Sequence, residues 1–154
     1  MKSRAAVILI ENDKIALIER NRSGRHYYAF PGGKVKEEET LAEAAAREAE
    51  EELGLQVEIG SLVAEIWYRG LPQYFFLARP TGGQFGHGTG PEMMSAPGSK
   101  NGTYLPIWME ITELISQPIQ PKILREYIWK SIHEGWPEIP QIVIGRPPDE
   151  ESHG

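Results

Sequence analysis

One segment constrains this chain more than any other. Thr40 to Leu53 carries a helical pattern with both ends marked. Thr40 followed three residues later by Glu43 is a capping box, and Gly54 sits where a helix stops. Between Glu37 and Glu52 lie eight glutamates and one basic residue, Arg47. At about 100° per residue, Leu41, Ala42, Ala45, Ala46, Ala49 and Leu53 gather on one side. Glu43 and Glu50 fall opposite, where solvated glutamates belong. Glu52 projects into the apolar arc, between Leu41 and Ala45, and Glu48 and Glu51 border the same arc.

Three carboxylates at i, i+3 and i+4 beside a core face repel one another, and burying them costs more unless they are paired. A single Arg cannot neutralise three of them, whereas a divalent cation can. An all-oxygen donor set suits Mg²⁺ or Mn²⁺, hard ions that keep waters and bridge to phosphates. The alanines let the helix backbone approach a neighbouring layer closely, which holds the carboxylates on a rigid element. Gly32-Gly33, just before this helix, reads as a turn that also admits close approach of a ligand.

The rest of the chain supplies the frame. With 154 residues, a single domain is the natural expectation. Arg4–Ile10 reads as a buried strand and Lys14–Glu19 as its hairpin partner across a turn at Glu11-Asn12-Asp13. Asn21–His26 reads as a polar loop, and Tyr27–Phe30 as a short aromatic strand. Leu55–Tyr68 and Gln73–Ala78 follow as strands. Pro80–Gly102 reads as a long loop rich in glycine. Thr103–Met109 is a further strand, and Ile111–Ser116 a short helical turn. Pro121–Glu134 reads as an amphipathic helix with proline at its first position. The expected layout is one domain over residues 1–140 and a C-terminal extension over 141–154, its end acidic and disordered. Strands, helix, strands, helix is not strict βαβ alternation. It points to an α+β or α/β/α arrangement with a mixed sheet.

Composition excludes several classes of function. The net charge is −6, from 16 basic and 22 acidic residues, so a phosphate-neutralising nucleic-acid binder is disfavoured. There are no cysteines. That removes disulfides, zinc–thiolate sites, iron–sulfur clusters and Cys nucleophiles, and it suits a reducing cytoplasm. The apolar run Ala5–Ile10 is too short for a membrane span.

Taken together, Gly33, Glu39, Arg47, Glu48, Ala49, Glu51, Glu52, Gly54 and Leu55 fill the positions of the Nudix box. The segment therefore resembles the Nudix hydrolase family (MutT-like), and Phe30-Pro31-Gly32 looks like that family's entry strand. Ala49 is smaller than the usual aliphatic residue, and Lys36 stands where many members are acidic. The resemblance implies an α/β/α sandwich with a mixed sheet and a box helix. It also implies Mg²⁺-dependent cleavage of the diphosphate linkage in a nucleoside diphosphate derivative, of the nucleoside triphosphate or nucleotide-sugar class. The alternative is a module on the same fold that senses a nucleotide without hydrolysing it.

By resemblance, Glu48, Glu51 and Glu52 take the metal-ligand positions, with the Gly32 carbonyl as a backbone ligand. Glu48 is the candidate base. Arg47 matches the residue that pairs with a box glutamate and orients it. Gly33, Lys34 and Glu39 complete the candidate site on the substrate side, Lys34 as a charge stabiliser and Glu39 closing the loop against the helix. Glu92, in Gly90-Pro91-Glu92, is the candidate for a further glutamate from a later loop, with His87 a weaker one and Glu65 another on the strand after the box. Among Tyr27, Tyr28, Phe30, Trp67, Tyr68, Tyr74 and Phe76, one or two could stack on a base. The expected partner is a small nucleotide-like diphosphate, with no stable nucleic-acid complex, no membrane and room for a homodimer.

Overall fold

A computed structural model describes residues 3–88, 102–136 and 142–145. The strands β1 (Arg4–Glu11), β2 (Lys14–Arg22), β3 (Arg25–Ala29) and β4 (Gly32–Lys34) come first. The box helix α1 (Leu41–Leu53) follows, then β5 (Leu55–Tyr68), β6 (Leu71–Gly83) and β7 (Thr103–Glu110). A turn of 3-10 helix (Ile111–Glu113), β8 (Ile119–Gln120), α2 (Lys122–Glu134) and β9 (Ile142–Ile144) complete the described chain.

The sheet runs β8-β3-β2-β1-β6-β5-β9, with β4 also on β1 and β7 also on β2. It is mixed: β1 and β6 are parallel, whereas β1–β2, β1–β4 and β5–β6 are antiparallel. β1 explains the apolar run at the start of the chain. Ala5, Val7 and Leu9 pack with Ala44, Ala45, Ala49 and Leu53 of α1. Ala6 and Ile8 pack on the other face with Leu124 and Ile128 of α2. A strand covered on both faces has no polar alternation to show. The architecture is therefore an α/β/α sandwich, as the sequence implies.

α1 has the ends its sequence demands. Thr40 accepts from the Glu43 N–H at 3.1 Å, and the Glu43 carboxylate accepts from the Thr40 N–H at 2.8 Å. Gly54 closes the helix with φ at 81°, a left-handed conformation that a Cβ makes costly. Among the described residues, no helix is long and apolar enough to cross a membrane.

Several expectations need correction. Asn21–His26 is not a loop: Asn21 pairs with His26 and Arg22 with Arg25, around a tight turn at Ser23-Gly24. These residues are mostly exposed polar groups, so hydrophobic period gives no strand signal there. Gly32-Gly33 is not a turn but the core of β4, with Gly33 opposite Ala5 and Gly32 opposite Ala6. Pro80–Gly83 belongs to β6. Proline is tolerated there because the β5–β6 register shifts beside it, between Gln56 and Val57. Pro121 is the cap of α2 rather than its first residue. Within the stretch the sequence assigns to a C-terminal extension, Ile142–Ile144 adds a parallel strand to β5.

Candidate active site

Arg47 is the hub of the box. Its Nε and Nη2 donate to the two oxygens of Glu39 at 2.6 and 3.0 Å. Nη1 donates to Glu48 at 2.9 Å and to Glu51 at 3.2 Å. Nη2 also donates to the Lys34 carbonyl at 2.9 Å, tying α1 to the end of β4. One planar guanidinium thus fixes a loop, a strand end and two helix carboxylates, which its rigid fork of donors allows and a lysine ammonium would not.

Of the three carboxylates that the helical wheel puts on or beside the apolar face, two are buried: Glu48 is 5 % exposed and Glu52 is 4 % exposed. Glu52 accepts from the Gly32 N–H at 2.8 Å. The Glu48 carboxyl lies over Gly33, where an added Cβ would meet it at 2.5 Å. The two glycines are therefore needed for close approach, since neither has a positive φ. Glu51 is more open, with its side chain 28 % exposed.

Hydrogen bonding to Arg47 holds the Glu39 carboxyl down at about 2, and the same contact pushes the Arg47 guanidinium upward. The sign follows from linkage. A carboxyl whose folded value lies below its unfolded value stabilises the fold when ionised. The contribution is complete above pH about 4.5 and is lost as pH falls towards about 2. Glu39→Gln should therefore lower stability at neutral pH by on the order of 1 kcal/mol, allowing for solvent screening. Its unfolding curve should converge on the parent's as acid is added through that window. Denaturant titrations at pH 7, 4 and 2.5 check this; a difference independent of pH would refute it.

Beside Glu48 and Glu52 opens a cleft of about 330 Å³. Gly32, Gly33 and Lys34 line it, as do Arg4, Arg20 and Tyr104. The last three carry no signal from the box. Arg20 is 8 % exposed. Its Nε donates to the Thr103 carbonyl at 3.1 Å, and its guanidinium lies 3.6 Å from the centre of the Tyr104 ring. Cross-strand register places Arg20 between Tyr27 and Tyr104. One signal could have found it: Ala16 and Ile18 point to the α1 face, and the period of two continues to Arg20.

Other candidates fall elsewhere. Glu39 and Glu51 do not line the cleft. Neither does His87, which packs against Gly54 at the end of α1. Glu65 is buried and accepts from the Trp67 indole at 2.5 Å. Its register through Tyr74 and Ala5 to Gly33 puts it on the α1 face, three strands from β4. Glu92 lies outside the described residues. Phe30, by contrast, lines the cleft while packing edge-on against Phe75 of the core, and Tyr68 is exposed.

Among the described residues, no three acidic or histidine side chains gather closely enough to hold an ion as they stand. The donor set still suits a cation, because one already bridges two of its members. Arg47 Nη1 sits within 3.2 Å of both Glu48 and Glu51.

Comparison with known proteins gives the family and the shared fold. A model of the NUDIX domain matches residues 1–129. The chain belongs to the NUDIX family. The human protein named 8-oxo-dGDP phosphatase NUDT18 is 40 % identical over 84 residues, covering 51 % of this chain and 25 % of that protein. This NUDIX chain thus spans about a quarter of the length of that relative. A NUDIX hydrolase from Nitrosomonas europaea superposes with a TM-score of 0.72 at 21 % identity, over 95 % of this chain and 79 % of that one. An ADP-ribose pyrophosphatase from Streptococcus suis gives 0.64 at 21 % identity, over 94 % and 98 %. At such identities the two structures show the shared fold.

Proposed function

We propose that this chain is a metal-dependent pyrophosphohydrolase that cleaves the diphosphate linkage of a nucleoside diphosphate derivative, with Mg²⁺ as its ion and the cytoplasm as its setting. The observation that carries this reading is the position of the Arg47-centred box. Buried Glu48 and Glu52 line a cleft whose other lining residues include three cations. The names of the relatives, a phosphatase of an oxidised nucleoside diphosphate and a pyrophosphatase of ADP-ribose, lie in the same chemical class.

A diphosphate resists water because its anionic oxygens repel the incoming oxygen. Positioning and charge neutralisation therefore supply most of the barrier reduction. Glu48, Glu51 and Glu52, with the Gly32 carbonyl, would hold the ion, which when bound supplies a more acidic water and neutralises phosphate charge. The residues of the chain supply the rest. Arg47 fixes the rotamers of Glu48 and Glu51 through Nη1. Glu48 accepts the proton of the attacking water. Lys34, at the end of β4, meets charge developing on the leaving phosphate, and Arg20 adds a second fixed positive charge held against Tyr104. Glu48, Glu52 and Arg20 are buried, away from bulk water, which strengthens their electrostatic interactions.

The test is a hydrolysis screen of the purified protein with Mg²⁺ and with Mn²⁺. The panel spans dNTPs and dNDPs with their 8-oxo forms, ADP-ribose, sugar nucleotides and dinucleoside polyphosphates. Turnover of one class, absent in Glu48→Gln, is the expected result. Silence across the panel with metal binding intact would move the assignment to a nucleotide-sensing module.

A further inference from the structure

Arg4 opens β1 and Lys34 closes β4, and the antiparallel register sets them directly opposite one another. Like charges in that relation repel. The backbone gives them no freedom to separate: the Val35 N–H donates to the Ser3 carbonyl at 3.0 Å, just beyond the pair. On the other side, the next register pair is Ala5 with Gly33, the glycine beneath the Glu48 carboxyl. Both cations line the cleft that Arg20, Glu48 and Glu52 also line. Arg22 and Arg25 face each other as well, but at an exposed hairpin end that does not line this cleft.

A cross-strand pair of cations that lines the same cleft as the acidic wall is suited to a group with more than one negative charge. A phosphate monoester carries nearly two charges at neutral pH, whereas each phosphate of a capped diphosphate carries one. We propose that the Arg4–Lys34 pair is a specificity element that grips the free terminal phosphate of a nucleoside di- or triphosphate. It thereby selects against diphosphates capped by a sugar. Arg4 is the discriminating member, because nothing in the box specifies a cation at its position. This inference rests on the pyrophosphohydrolase reading for its consequence in turnover, though not for its consequence in binding.

Two measurements separate the two claims. The first compares kcat/KM for dGDP and dGTP with that for ADP-ribose and UDP-glucose, in the parent and in Arg4→Gln. The ratio of free-ended to capped substrates should favour the free-ended class in the parent. It should fall about tenfold in the variant, through KM rather than kcat, and Arg4→Lys should restore most of it. Arg4 is exposed at a strand end, so the thermal midpoint should stay in place. The second measures calorimetric binding of α,β-methylene-ADP against ADP-ribose, which needs no turnover. If no compound is hydrolysed by the parent, the enzymatic reading fails, yet a tenfold change in this binding ratio still upholds the pair. A ratio within twofold of the parent's in both measurements, or equal losses for both classes, overturns the proposal.

Discussion

Glu48→Gln should lower kcat by about a thousandfold while leaving the fold intact. The substitution keeps the size of the side chain and one oxygen for Arg47 Nη1, which now reaches Glu48 at 2.9 Å. It removes the negative charge, and with it the proton acceptor and one ligand charge. Loss of a positioned acid–base group alone is typically worth 10² to 10⁴ in rate. The stability change should be small because two effects oppose. A buried carboxylate no longer needs desolvation, and a partly buried ion pair with Arg47 is weakened. Phosphate release and a thermal melt on the same sample check both halves. Full activity in this variant would place the reacting groups somewhere other than the box. Lost activity with a melt lowered by more than about 10 °C would mean that Glu48 serves the fold first.

That separation of fold from chemistry also explains what could be foreseen. α1 was legible to within a residue because everything that defines it is local. A capping box, a closing glycine and a period of 3.6 all lie within fifteen positions. The inward aim of Glu52 follows from the same period, and its 4 % exposure agrees. β1 was legible for a related reason, since a strand covered on both faces leaves an unbroken apolar run. The elements that escaped are those defined by a partner. β4 is three residues long and exists because β1 accepts it. The ends of β2 and β3 are polar and exposed, and only their pairing makes them strands. The site divides along the same line. The candidates Glu48, Glu51, Glu52 and Arg47 share one helix, so they stand together in the sequence. Arg4, Arg20 and Tyr104 come from three strands, and only sheet register brings them to the cleft.

Gly33→Ala and Gly32→Ala should fail in opposite ways, although the residues are adjacent and chemically identical. Neither glycine has a positive φ, so alanine meets no backbone penalty at either position and the outcome depends on contacts alone. At Gly32 the new methyl would lie 2.5 Å from the Ala5 carbonyl oxygen and 2.6 Å from the Ala6 Cα. Those atoms belong to the central strand of the sheet and cannot withdraw. Overpacking of this kind costs about 1–3 kcal/mol, or several degrees in the melt of a chain this size. At Gly33 the three atoms nearest the methyl all belong to the Glu48 carboxyl, at 2.5 to 2.6 Å. That group is the end of a flexible side chain, so it can swing away and spare the fold. In doing so it leaves its place beside Glu52 and the cleft. A misplacement of about 1 Å in a reacting group can cost a hundredfold in rate. Gly33→Ala should thus melt within a few degrees of the parent with kcat down about a hundredfold, while Gly32→Ala should melt clearly lower. Parent-like kcat in Gly33→Ala would show that the reaction does not depend on where β4 holds the Glu48 carboxylate.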